Sequence, residues 1–207
     1  GCCPLIELSF MPRDLALTTE ETCKAPPTHG TYFYDLASRY PPKDFTRWQE
    51  LVHAFVSHCW HRYGTAVRDW LFELWNEPDL EEYWRGRLEG YCRLYDHTAA
   101  AVKSVDAGIK IGGPAVARSA DFLDLFLAHC ESGSNHVTGT HGAPLDFVSC
   151  HLKGTTWPHP DVWVQPSLKR MLDNLHLYIQ AIKNHPSLSK FPVFIDECDI
   201  DVGTIMG

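Results

Sequence analysis

The chain has 207 residues, 44% hydrophobic and 21% charged, a composition that fits one packed globular domain and excludes a disordered or fibrous chain. A formal net charge of −8 with no basic run leaves nothing to collect phosphates, so nucleic acid is not expected as a partner. No stretch approaches roughly 18 uninterrupted apolar residues, so no membrane span is expected either.

Compartment and oligomeric state stay open. No basic-then-apolar leader opens the chain, and no Asn begins an N-x-Ser/Thr sequon. The eight cysteines lack CxxC spacing, so reduced thiols are expected rather than a zinc ribbon or redox pair. His58, Cys59 and His61 invite a metal reading, but they fall on a periodic helix without an HExxH pattern, and ordinary helix positions are expected. Seven Trp, eight Tyr and ten Phe suit either sugar platforms or core packing.

In chain order, five short apolar runs alternate with segments of helical period, which predicts βαβ units and a parallel sheet. The runs are Pro4 to Phe10, Trp70 to Trp75, Ile109 to Gly112, Leu145 to Cys150 and Pro192 to Ile195. After the first run, residues from Pro12 to Lys43 show little period and several prolines, and read as one long loop. Phe45, Trp48, Val52, Val56 and Cys59 then recur at helical spacing, with Asp44 as N-cap and Gly64 as stop. A second helix is predicted from about Leu88 to Val105. A third is capped by Ser119 and ends before Gly133. A fourth uses Leu168, Met171, Leu175, Ile179 and Ile182 and ends before Pro186.

Five strands with four crossovers suit an open doubly wound sheet or part of a closed barrel. Each run, however, finishes in polar or backbone-special residues, as a (β/α)8 TIM barrel requires where its strand ends assemble an active site. The fold predicted is therefore α/β, a partial barrel, with residues 1–207 forming one incomplete catalytic domain. A closed barrel needs eight strands, and five alone leave two edges unpaired.

Trp70 to Asp79 carries the sharpest signal, because a buried strand runs into Asn76, Glu77 and the helix-breaking Pro78. A carboxyl among Trp and Phe is partly desolvated, which suits a group that donates a proton and later takes one back. Asn76 can bond a sugar 2-hydroxyl. Glu73, deeper in the same strand, reads as structural. A second carboxylate, Glu197, ends the fifth run, and Asp196, Asp199 and Asp201 beside it offer a competing cation-loop reading that lacks the EF-hand pattern. His151 and Lys153 fall on one side of an alternating strand end, where a lysine can pair with a uronate carboxylate.

The Trp75-Asn76-Glu77-Pro78 strand end, Glu197 and Lys110-Ile-Gly-Gly-Pro114 resemble glycoside hydrolase family 39, which contains β-xylosidases and α-L-iduronidases. His129-Cys130, Asn135, Leu145-Asp146, Ser149, His151, Lys153-Gly154, Asp196-Glu197, Asp199 and Val202-Gly203 are similar to the iduronidase branch. The resemblance implies that the five runs are the third to seventh barrel strands. It makes Glu77 the acid/base and Glu197 the nucleophile of a retaining exo-glycosidase. It also implies that Lys153 and Gly203 hold a substrate carboxylate, with Asn76 and His151 as further substrate contacts. The expected partner is a carbohydrate, and no metal or cofactor is implied. Two alternatives stay open: a β-xylosidase, and a catalytically inactive carbohydrate-binding fragment.

Overall fold

The computed structural model describes residues 2–18, 36–155 and 166–200. Five strands pair in parallel in the order of the chain: β1 (Leu5–Leu8), β2 (Leu71–Leu74), β3 (Lys110–Val116), β4 (Phe147–Lys153) and β5 (Val193–Asp199). Four helices supply the crossovers, α1 (Phe45–Tyr63), α2 (Arg87–Val105), α3 (Ala120–Ser132) and α4 (Leu168–Lys183). A doubly wound sheet reverses its strand order at a switch point, and no reversal occurs here. The sheet is a segment of a (β/α)8 barrel wall.

Local chemistry sets the helix limits. Asp44 accepts from the Thr46 and Arg47 amides and starts α1, and Gly64 at φ +61° stops it. Ser119 caps α3 through the Phe122 amide at 3.1 Å, and Ser167 caps α4 through Arg170. Metal ligation is not needed to explain the α1 histidines: Cys59 is buried, while His58 and His61 face outward as the helical period requires.

Three strands run further than their apolar runs. β3 continues through Gly113 and Pro114 to Val116, β4 through His151 to Lys153, and β5 through Glu197 to Asp199. The ladder is made by backbone groups, so it continues past the residue where the side chains turn polar. Within 12–43, Ala16 bridges Pro42 and a 3-10 turn covers Leu36–Arg39, so part of the expected loop is ordered against the barrel.

The core lies between sheet and helices. Trp75, Trp84, Tyr91, Phe122 and Phe126 meet edge to face, and Trp48 Nε1 donates to Thr98 Oγ1 at 2.8 Å between α1 and α2. For Trp48, Trp75 and Trp84, all buried, packing is thus the role of the aromatic ring. β4 is buried throughout, whereas β5 and most of β1 are open on the described surface.

Gly112, paired with both Glu73 and Phe147, shows how tightly β2, β3 and β4 approach. A Cβ there would stand 2.4 Å from the Phe147 carbonyl oxygen and 2.6 Å from its ring. In the full-length protein, Gly112→Ala is expected to lower unfolding free energy by about 1–3 kcal/mol, as overpacked cores do. Glu50→Ala, which breaks an exposed pair with Arg47, should cost no more than about 1 kcal/mol. Urea titration of the two variants against wild type measures both.

Candidate active site

Glu77 leaves β2 through a kink made by two non-glycine residues with left-handed backbones, Trp75 at φ +67° and Glu77 itself at φ +45°. Such residues cost of order 1–3 kcal/mol unless their surroundings hold them. Here they are held. The Glu77 amide donates to the Ala115 carbonyl at 3.2 Å, and the Ala115 amide donates to Ser149 Oγ at 3.1 Å. Asp79 accepts from the amides of Ala117, Arg118 and Ser119 at 2.8–2.9 Å, tying the exit of β2 to the end of β3. Glu77 is consequently fixed and only 4% exposed.

From β4, His151 is buried against this carboxylate. Its Nδ1 lies 2.8 Å from Glu77 Oε1 and 3.3 Å from Glu197 Oε2, and its Nε2 lies 3.7 Å from Asp196 Oδ2. Lys153, two residues on, donates from Nζ to Glu197 Oε1 and to Asp199 Oδ2 at 2.7 Å, and stands 3.6 Å from Glu77 Oε1. The alternation expected of His151 and Lys153 is present, since both reach the same carboxylates. Asn76 is half-buried beside Glu77. Gly203 lies outside the described residues, as does Asp201.

Burial opposes positive charge on His151, but hydrogen bonding and attraction from Asp196 and Glu77 outweigh it and push its pKa up to about 10. Lys153 is likewise raised: burial works against its charge, and Asp199 and Glu197 hold the proton. Burial lifts the Glu197 carboxyl above its ordinary value, opposed chiefly by Lys153. Asp199, bonded to Lys153, is held below the usual carboxylate range.

Three acids that the sequence reading set aside belong to this cluster. Asp196 and Glu197 are consecutive, so strict strand alternation would send them to opposite faces. A bulge between Cys150 and His151 shifts the register from Cys150↔Ile195 to His151↔Glu197, and both carboxylates then reach His151. Asp199 joins through Lys153. Glu73, on β2, is completely buried near Asp196. The sequence signal for Asp196 and Asp199 was the density of acids after Ile195.

Glu77, His151 and Glu197 offer donor atoms within 4.8 Å of one another, the one such trio among the described residues. The Lys153 ammonium stands between the two glutamates, and Asp196 and Glu77 favour the charged form of His151. This donor set is arranged as an ion-pair cluster rather than as a cation cage.

An acid cluster at the C-terminal strand ends of a singly wound parallel sheet defines the class: a (β/α)8 barrel with carboxylates on the face where such barrels assemble their sites. The chain belongs to glycosyl hydrolases family 39, whose model matches residues 1–204. Among curated relatives, a β-xylosidase of Geobacillus stearothermophilus is 40% identical over 159 residues, covering 75% of this chain and 28% of the relative. Human α-L-iduronidase is 30% identical over 165 residues, covering 75% of this chain and 24% of the relative. The chain therefore spans about a quarter of the curated relatives it matches. Among solved structures, a monomeric β-xylosidase from Caulobacter crescentus superposes with TM-score 0.73 at 29% identity, covering 95% of this chain and 37% of that one. A bacterial orthologue of human α-L-iduronidase gives TM-score 0.68 at 33% identity, covering 77% of this chain and 26% of that one.

The cluster has a pH signature. His151 moves from 6.5 to about 10 on folding, so its stabilisation is complete below 6.5 and lost as pH rises through 10. Glu73 moves from 4.5 to about 9, and as a raised acid it too costs stability as pH rises, between those values. Unfolding free energy should fall from pH 6.5 to 10, and His151→Gln should give a shallower fall over that window. Denaturant titrations of both proteins at stepped pH check it.

Proposed function

We propose that this chain carries the two reacting carboxylates of a retaining exo-glycosidase that removes a terminal sugar by double displacement. The observation that supports it is the approach of Glu77 and Glu197, oxygens within 4.8 Å, from two different strands at the catalytic face. Retention uses carboxyl groups about 5–5.5 Å apart, whereas inversion needs about 6.5–9.5 Å to admit a water.

In the first step a Glu197 oxygen attacks the anomeric carbon as the glycosidic C–O bond breaks, and the departing oxygen takes the Glu77 proton. In the second, Glu77 takes a proton from water, whose oxygen attacks the same carbon and returns Glu197 as a carboxylate. His151 is placed to hold both glutamates through the change of charge. Asn76, beside Glu77, is assigned to the sugar 2-hydroxyl.

In the full-length protein, Glu197→Ala should abolish turnover, while Glu77→Ala should spare substrates whose leaving group needs no proton. A 2-fluoro sugar should label Glu197 in peptide mapping. A label on Asp196, Asp199 or Glu77 overturns the assignment.

For the substrate we propose a terminal uronate, with Lys153 and Gly203 receiving its carboxylate. Lys153 already serves Glu197 and Asp199, and a uronate would enter this network as a further acceptor of a charge-assisted hydrogen bond. A β-xylosidase is the second reading, favoured by 40% identity to the Geobacillus enzyme against 30% to human iduronidase. The ratio of kcat/KM for an aryl iduronide over an aryl xyloside decides between them. Under the uronate reading wild type favours the iduronide, and Lys153→Met lowers that ratio by at least about tenfold, the scale of a lost charge-assisted bond. A wild-type preference for the xyloside, or a ratio unmoved in Lys153→Met, establishes the second reading.

A further inference from the structure

Glu73 on β2 is fully buried, and neither of its carboxyl oxygens has a partner at ordinary hydrogen-bond geometry. No Lys, Arg or His among the described residues makes an ion pair with it. The groups placed near it among the described residues are acidic or neutral. Glu7 of β1 is its register partner, Asp196 of β5 and Ser149 of β4 stand close by beyond regular bonding geometry, and Tyr91 of α2 stands near, its hydroxyl donating to the Leu74 carbonyl. An unpaired carboxylate in such a place is prohibitively desolvated. A buried carboxyl with an anionic neighbour and no cation paired to it keeps its proton.

We propose that Glu73 is a positioning residue that stays protonated beside Asp196, so that Asp196 alone presents negative charge to His151. The inference rests on the glycosidase reading above for its catalytic consequence, though not for the protonation state itself. Asp196 is the member that ionises because it has a cationic neighbour, His151 Nε2 at 3.7 Å, and Glu73 has none among the described residues. The electrostatics agree: burial first and Asp196 second push Glu73 up to about 9. Asp196, despite burial, lies below the ordinary carboxylate value because His151 and Glu73 favour its charge.

His151 then has a fixed anion on one nitrogen and both reacting glutamates on the other. Were Asp196 to take the proton, the imidazolium would lose that anchor, and the geometry of Glu77 and Glu197 would loosen together. Glu73 touches no reacting atom in this scheme. It acts through Asp196 and His151.

The test uses full-length protein. Difference infrared spectra near pH 7, where free carboxyls are ionised, should show a protonated-carboxyl C=O stretch in wild type that is missing from Glu73→Gln. Because an amide reproduces a neutral donor, Glu73→Gln should keep kcat/KM within about threefold of wild type and leave the pH profile in place. Glu73→Met keeps the volume without the donor. It should move the acid limb of kcat upward by at least about half a pH unit with little change in KM. A packing role alone would leave that limb unmoved in a folded Met variant.

Absence of the protonated band overturns the proposal. So does a Glu73→Gln protein that fails to fold or loses more than about tenfold in kcat/KM, since an ionised Glu73 held by a cation elsewhere would behave that way. If Glu73→Met does not fold, the band and the Gln comparison decide. A protein that shows the band but hydrolyses no glycoside refutes the functional reading alone.

Discussion

An imidazole buried among carboxylates is the contact around which this molecule is arranged. His151 is 1% exposed, yet it meets Glu77 at 2.8 Å and Glu197 at 3.3 Å, with Asp196 behind it. Charges so placed are stable only when each has its partner, because a buried ion left alone loses several kcal/mol of solvation. Strand β4 must therefore set His151 and Lys153 on one face, β2 must end in a kink that turns Glu77 toward them, and β5 must bring its acids from the far side.

Each of those conditions has its own support. Tyr91 donates to the Leu74 carbonyl beneath the kink, Ala115 receives the Glu77 amide, and Ser149 receives the Ala115 amide. The chain of contacts runs through β2, β3 and β4 in order, so the acid at the end of one strand depends on the exact register of the next two. Gly112 is where that register is tightest. The catalytic face and the sheet core are in this sense one structure, and strain at the face is offset by hydrogen bonds just below it.

The division between β4 and β5 is less symmetric. β4 is sealed on both faces, whereas β5 is open at Val193 and Ile195 and its Glu197 side chain is 45% exposed. Lys153 compensates by drawing Glu197 and Asp199 inward.

What the sequence determined by itself was local. Asp44, Gly64 and Ser119 mark helix limits because a cap is satisfied within three or four residues, and the run of Trp75, Asn76, Glu77 and Pro78 marks a strand end because proline forbids continuation. Alternation placed His151 and Lys153 together for the same reason. Tertiary structure decided the rest. That Asp196 joins Glu197 depends on a bulge paired across strands, that Glu73 is buried beside other acids depends on several elements at once, and that β3, β4 and β5 outrun their apolar residues depends on neighbouring backbones. Contacts of this kind are set by what lies across the sheet, and one-dimensional spacing carries no record of it.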